Sequence, residues 1–275
     1  MNRAKEDLIR ELTAIFQGCP GNVVAAEQAL SGCEGLVIFE EPLFGFSDAA
    51  DPIYLTFREK EVIGDNFLLP GDWLPGARTV ISLFLPFTER VRSSNRGDPE
   101  RISAEWLHGR IEGQAFITEL MQRIKAHFES RGIRTCVPAL DARFGVRTTE
   151  LPAGDPKGLH IASNWSERHI AYASGLGTFS LTRGLISAKG VAGRYASIII
   201  SGAVEPDGRA YSGVYDYCIR CGACIERCPA AAITLEGGKN QIRCWEWVNL
   251  TKERYAPRYG CGKCQVGVPC EHRIP

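Results

Sequence analysis

The residues of this chain that could do chemistry are its cysteines. The run Cys218-Ile-Arg-Cys221-Gly-Ala-Cys224-Ile-Glu-Arg-Cys228-Pro229 has the spacing C-x2-C-x2-C-x3-C-P of bacterial two-cluster ferredoxins. Three thiolates spaced this closely can wrap three irons of one cubane. A short helix starting there turns the fourth toward a second cluster. Gly222 lets the backbone approach inorganic sulfide, and Pro229 opens a new segment where a missing N–H costs little. The second cluster needs three more thiolates, and one further cysteine must return to the first. Cys244, Cys261, Cys264 and Cys270 supply them. Ferredoxin logic assigns Cys218, Cys221, Cys224 and Cys270 to one [4Fe–4S] cluster. It assigns Cys228, Cys244, Cys261 and Cys264 to the other, with an unusual gap of 17 positions between Cys244 and Cys261.

Zinc also takes four thiolates, but usually from two separated C-x2-C knuckles rather than four cysteines packed before a proline. A disulfide framework is not needed by a chain of 275 residues. Cys19, Cys33 and Cys136 are isolated and read as buried small hydrophobes. From 211 to 275 there are nine Lys and Arg against six Asp and Glu, an excess that offsets thiolate and cluster charge. Two fully Cys-ligated cubanes conduct single electrons and do no substrate chemistry. The residues ahead of them must therefore hold an acceptor: a flavin, a corrinoid or a partner's redox centre.

The elements that position these groups read as an α/β cofactor and substrate domain over 1–210 and a ferredoxin-like domain over 211–275. Ala203–Ser212 is the expected linker. Met1–Phe16 has apolar residues at helical spacing. Thr79–Leu85 and Tyr195–Ser201 read as buried strands. Ser103 is an N-cap for a long helix ending near Arg131-Gly132. A shorter helix runs from Ser166 to Ser174, with Gly175 as its C′ residue. The following Gly175-Leu176-Gly177-Thr178-Phe179-Ser180 lacks the third glycine of a dinucleotide fingerprint and follows a helix. It is either a loop allowing close approach of a flat ligand or a helix cap with a turn. Asn164, Ser166, Glu167, Arg168 and His169 form a dense polar cluster, read either as capping or as proton donation. His160 and His108 stand alone and read as structural. Zero net charge argues against a surface built for nucleic acid or anionic membrane. There is no export signal and no 18-residue apolar run, so the reducing cytoplasm is the expected compartment.

The string Glu167-Arg168…Ala171…Gly175-Leu176-Gly177…Leu185-Ile186 is followed by the ferredoxin run. Arg243-Cys244 and Gly260-Cys261-Gly-Lys-Cys264-Gln265 come next. Together with Leu74-Pro75-Gly76-Ala-Arg78-Thr-Val80-Ile81-Ser82 ahead of Pro86, these segments resemble the epoxyqueuosine reductases, relatives of the reductive dehalogenases. The resemblance implies a nitroreductase-like α/β domain holding a base-off cobalamin fed by two [4Fe–4S] clusters. A ferredoxin or flavodoxin would be the electron donor, and a small molecule or redox partner protein the target. Gly175, Leu176, Gly177, Thr178 and Ser180 would line the cofactor pocket. Where that family has its proposed proton-donor Asp, this chain has Ile161, which leaves His160, Glu167 and His169 as candidate donors. The neutral charge and an end at Pro275 argue against tRNA as substrate. The competing expectation is an electron-transfer subunit whose large domain docks a partner.

Overall fold

The computed structural model describes residues 3–151, 155 and 159–275. The chain begins with α1 (Arg3–Gln17), β1 (Leu43–Asp48), α2 (Ile53–Thr56), α3 (Pro70–Trp73), β2 (Thr79–Pro86), α4 (Glu89–Ser94) and α5 (Ala104–Glu129). It continues through β3 (Thr135–Cys136), β4 (Val146–Glu150), β5 (Leu159–Ser163), α6 (Glu167–Ala173), β6 (Gly177–Phe179), β7 (Leu185–Ser187) and β8 (Gly193–Ile200). The cysteine-rich part adds α7 (Ala223–Glu226), β9 (Ile233–Thr234), β10 (Gly238–Lys239) and α8 (Gln241–Tyr255).

A four-stranded antiparallel sheet, in the order β1-β2-β8-β3, organises the first part. Its centre is β2, the apolar run expected at Thr79–Leu85, and every one of its residues is buried. A strand covered on both faces needs apolar side chains on both, which is why this segment does not alternate. Ile81, Leu83 and Leu85 lie with Ala196, Ile198 and Ile200 of β8, packed against Leu12 and Phe16 of α1 and Phe116, Leu120 and Ile124 of α5. Burying each such side chain contributes roughly 2 kcal/mol. On the other face Val80 and Ile199 join Tyr54, Phe57, Phe67, Trp73, Trp165 and Ile170.

The expected caps are present. Ser103 Oγ accepts from the Trp106 N–H at 3.2 Å and starts α5. The helix closes at Glu129, two residues before the Arg131-Gly132 turn, where Gly132 takes φ +74°. Cys19, Cys33 and Cys136 are buried, as expected of small hydrophobes. His108 is buried, with Nε2 accepting from Leu30 N–H at 2.9 Å, which is a structural role.

Residues 203–212 form neither helix nor strand, but they are pinned along β1. Asp207 N–H donates to Phe46 O at 2.7 Å, and Phe46 N–H donates to Asp207 Oδ2 at 2.9 Å. Lys5, only 5% exposed, pairs with Asp207 and donates to Glu205 O. The cysteine-rich part docks on α4 and the loop after it. Buried Lys263 donates to Asn95 O, Asn95 Nδ2 donates to Cys261 O, and buried Glu271 receives Arg96. Val266 sits in the main core. No helix among the described residues is long and apolar enough to cross a membrane.

One irregularity of the sheet creates the site. β3 pairs with Ile199 and Ile200 only. From Gly193 to Ile198, β8 therefore has a neighbouring strand on one side and a free edge on the other.

Candidate cluster and cofactor site

The first cysteine run bends as its spacing requires. Arg220 (φ 52°) and Gly222 (φ 82°) take left-handed conformations on either side of Cys221, curling the loop before α7, which carries Cys224. Successive residues of this kind turn backbone N–H groups toward a common centre and favour a negative group there. A Cβ added to Gly222 would meet no protein atom within 4 Å. Cys218, Cys221, Cys224 and Cys270 line one shallow pocket together with Ser180 and Thr182.

After α7 the chain turns away, and Cys228 faces elsewhere. Its sulfur accepts from the Ala232 N–H at 3.3 Å. Cys244 lies in the first turn of α8, capped by Asn240, whose Oδ1 accepts from the Arg243 N–H. The rest of α8, from Trp245 to Tyr255, occupies most of the gap between Cys244 and Cys261. Cys228, Cys244, Cys261 and Cys264 line a single large cavity. The eight cysteines thus line two pockets, four in each.

Burial, then the neighbouring cysteines, pushes the Cys224 thiol up to about 12. Burial, then Cys218, does the same for Cys270, also about 12. Cys261 is pushed to about 12 as well, by burial first and with Cys264, Cys244 and Cys228 adding to it. Such sulfurs become thiolates only when a cation takes the proton's place. Cys264 acts on Cys224 and Cys270 as well as on Cys261, so the two groups adjoin. Among the described residues no three His, Cys, Asp or Glu side chains converge closely enough for a single metal ion.

Gly262 shapes the second group. It has φ +67°, and a Cβ there would come 1.8 Å from Cζ2 of Trp106. Gly262→Ala is expected to destabilise the protein by about 2–4 kcal/mol and to lower its iron content, because Trp106 or Cys261 must move. Denaturant titration and iron analysis of the variant check this.

The cavity holds about 950 Å³ and lies against the free edge of β8. Five consecutive residues, Gly193–Ser197, line it, which is possible only if the strand is met edge-on. α5, β5, the start of α6 and α8 close the other sides. Three buried polar atoms on its wall have no hydrogen-bond partner: Glu167 Oε1, Arg194 Nε and Trp247 Nε1. Unpaired polar atoms inside a protein are rare and expensive, so these fit a bound molecule. Arg168 has large accessible area yet is enclosed by protein, because its free surface faces the cavity. Burial lowers its pKa, while Tyr195, Cys264 and Cys244 favour its charge. Burial opposes the charge of Lys239, but Cys264 and Cys244 beside it hold its pKa above the ordinary value.

Glu167 is the strongest of the three candidate proton donors. Trp165 Nε1 donates to Ser197 Oγ at 2.8 Å, and Ser197 Oγ donates to Glu167 Oε2 at 2.7 Å. Burial raises the carboxyl to about 7, with the Ser197 bond opposing. His169 also lines the cavity, but its ring packs on Phe57 and Phe179 and its Nδ1 pairs with Ser166 Oγ at 2.8 Å. Burial and then Arg168 push it down to about 3, so it stays neutral and cannot act as a cationic acid. Ser166, at the N-cap position of α6, makes no side-chain bond to the helix backbone. His160 is not on the cavity wall, and its Nε2 lies 3.0 Å from Ile63 O. Its assignment as a donor is corrected.

The expected lining loop is corrected too. Gly175, Leu176, Gly177 and Thr178 do not line the cavity. Leu176 packs with Phe84, Ala171 and Leu185. Gly177 presses on a carbonyl, since a Cβ there would fall 1.9 Å from Ile186 O. Thr178 Oγ1 accepts from the Tyr217 N–H at 2.9 Å, and Ser180 lines the first cysteine pocket. The glycines serve a tight hairpin that positions Cys218 rather than a cofactor. Sequence reasoning missed Arg110, Arg194, Lys239 and Trp247 on the cavity wall. A signal existed for Arg194, a charged residue in strand register with Ala196, Ile198 and Ile200.

A protein-family model described as a 4Fe-4S binding domain matches residues 213–234, which carry Cys218, Cys221, Cys224 and Cys228. An epoxyqueuosine reductase of Staphylococcus aureus is 25% identical over 209 residues, 71% of this chain and 49% of the relative. The chain is similar to the epoxyqueuosine reductases over this region. It spans about half the length of the curated relatives it matches. A crystal structure of a selenomethionine-labelled epoxyqueuosine reductase aligns with 98% of this chain and 66% of its own, at TM-score 0.51 and 17% identity. A catabolic reductive dehalogenase in complex with 3-bromo-4-hydroxybenzoic acid aligns with 97% of the chain and 37% of its own, at TM-score 0.51 and 16% identity. The mixed α/β fold with a ferredoxin-like C-terminal part is shared with both.

Proposed function

We propose that this protein is an iron–sulfur reductase with two [4Fe–4S] clusters and a corrinoid in the large cavity. The observation that carries the reading is the division of the cysteines: four line a cavity of about 950 Å³ edged by unpaired polar atoms, and four lie behind it. Cys218, Cys221, Cys224 and Cys270 would hold one cluster, and Cys228, Cys244, Cys261 and Cys264 the other. The free edge of β8 offers alternating N–H and C=O groups suited to a corrin's peripheral amides. When bound, a corrinoid supplies low-valent cobalt, a strong reductant.

The chain's own residues do the rest. Arg168 and Lys239 balance thiolate charge on the cavity side. Glu167, raised to about 7, is protonated in part of the population at neutral pH and can release a proton to a substrate in the cavity. Ser197 fixes its orientation. Trp106, Ile117 and Met121 supply apolar wall. Cys221 is exposed, and neighbouring Ile219 is 59% exposed, so an outside ferredoxin or flavodoxin would deliver electrons at the first cluster. The substrate is a small molecule able to enter the cavity.

Anaerobic reconstitution tests the reading. About eight irons and eight sulfides per chain are expected, together with one cob(II)alamin whose EPR spectrum is base-off. Zinc or about four irons would overturn the cluster assignment. Full clusters without corrinoid uptake would leave an electron-transfer or flavin protein.

A further inference from the structure

Two arginines on the cavity wall stand apart from the cysteines. Arg194 projects from β8, and Arg110 from α5. Arg110 donates to Tyr259 OH at 3.0 Å and lies 4.8 Å from that ring's centre. Arg194 donates to Gln114 Oε1, but its Nε is buried without a partner. Among the described residues no Asp or Glu forms an ion pair with either arginine. The charges acting on Arg194 are Arg110, Arg168 and Tyr259. Among the described residues Glu167 is the one carboxylate on the wall, and it is held by Ser197. Arg168 and Lys239 have Cys244 and Cys264 as counter-charges, but Arg194 has no such thiol beside it.

A guanidinium does not shed its proton in a protein, so an enclosed pair needs a counter-anion. Two donor forks from different elements suit a flat or tetrahedral oxyanion, which accepts paired N–H bonds. We infer that Arg110 and Arg194 form an oxyanion subsite, receiving a carboxylate or phosphate of a molecule bound in the cavity. This deepens the reading above by naming the charge class of the ligand. It rests on the cavity being a ligand site, not on the ligand being a corrinoid. The anion could belong to the substrate or to the phosphate of a cobalamin tail.

The test is calorimetric titration of inorganic phosphate into cluster-loaded, corrinoid-free protein at low salt. A Kd of about 1 mM or tighter is expected. Arg194→Gln and Arg110→Gln should each weaken it at least about tenfold with iron content unchanged, and Arg194→Lys should recover part of the loss. The source is read by repeating the titration with saturating cobalamin and by comparing cobalamin with cobinamide, which lacks the phosphate. Phosphate binding that survives cobalamin assigns the subsite to the substrate. Phosphate displaced by cobalamin, with Arg194→Gln weakening cobalamin but not cobinamide, assigns it to the corrinoid. No phosphate binding up to about 10 mM, or equal affinity in the variants, overturns the subsite. Phosphate binding without cobalamin binding leaves the subsite standing and removes the corrinoid reading instead.

Discussion

The double variant Cys228→Ala/Cys261→Ala is expected to hold about four irons instead of about eight and to lose turnover to background. Removing one cysteine of a cubane can leave a three-iron remnant, whereas removing two leaves no cage. Both residues line the large cavity, so the cluster nearest the reduction site is the one lost. Cys221→Ala/Cys224→Ala should lose as much iron, but from the pocket behind the cavity. The two variants differ in what remains. The second keeps the cavity wall intact and should bind cob(II)alamin as the wild type does. The first should bind it more weakly, because the cluster held through Cys244 and Cys264, the sulfurs beside Arg168 and Lys239, is lost together with its negative charge. Iron analysis with EPR reads both effects. Equal corrinoid affinity in the two variants would contradict the assignment of Cys228 and Cys261 to the cavity side.

The second large effect is at Glu167. Glu167→Gln should lower turnover at pH 7 by about 10²–10⁴-fold, the usual contribution of a positioned acid. Cluster content should not change. Because burial raises the carboxyl to about 7, the wild-type rate should fall as pH rises through that value and the proton is lost. The glutamine variant should show no such fall. Stability moves in a linked way. An unfolded glutamate ionises near its ordinary value of 4.5, whereas the folded one keeps its proton to about 7. The folded state therefore binds the extra proton between these pH values. Stability due to this group is present below 4.5, declines as pH rises, and is lost above about 7. The span corresponds to roughly 2–3 kcal/mol, with the open cavity side keeping it at the low end. Glu167→Gln removes the penalty, so its melting temperature should gain on the wild type at pH 8.5 and not at pH 4.5. Parallel melting curves at all pH values would show that Glu167 is not buried as a carboxylic acid.

Much of the fold was legible because its signals are local. A run of apolar residues marks β2, Ser103 with Trp106 marks the start of α5, and Gly175 marks the end of α6. Each reports a backbone conformation set by its immediate neighbours. Lys5 was not legible, since its partners Asp207 and Glu205 lie some two hundred positions away and only docking of the linker on β1 brings them near. The loop Gly175–Ser180 misled for a related reason. Two close glycines show that backbone must approach something, but not whether that something is a ligand. Here it is the carbonyl of Ile186. His160 and His169 likewise have the right chemistry in the wrong surroundings, one drawn to Ile63 O and the other packed on Phe57 and Phe179.

The sequence by itself determined that the run from Cys218 to Cys228 belongs to a 4Fe–4S binding domain. Cubane ligation depends on spacing along a short run, and a chain must return a cysteine wherever the run sends one away. Only the tertiary structure decided where the cysteines lead. β3 stops after two residues of pairing, β8 is left with a bare edge, and α5, α6 and α8 close around the space beside it. The raised carboxyl of Glu167 and the buried, partnerless Nε of Arg194 exist only inside that enclosure. Desolvation is a property of what surrounds a group, and residues distant in sequence provide it.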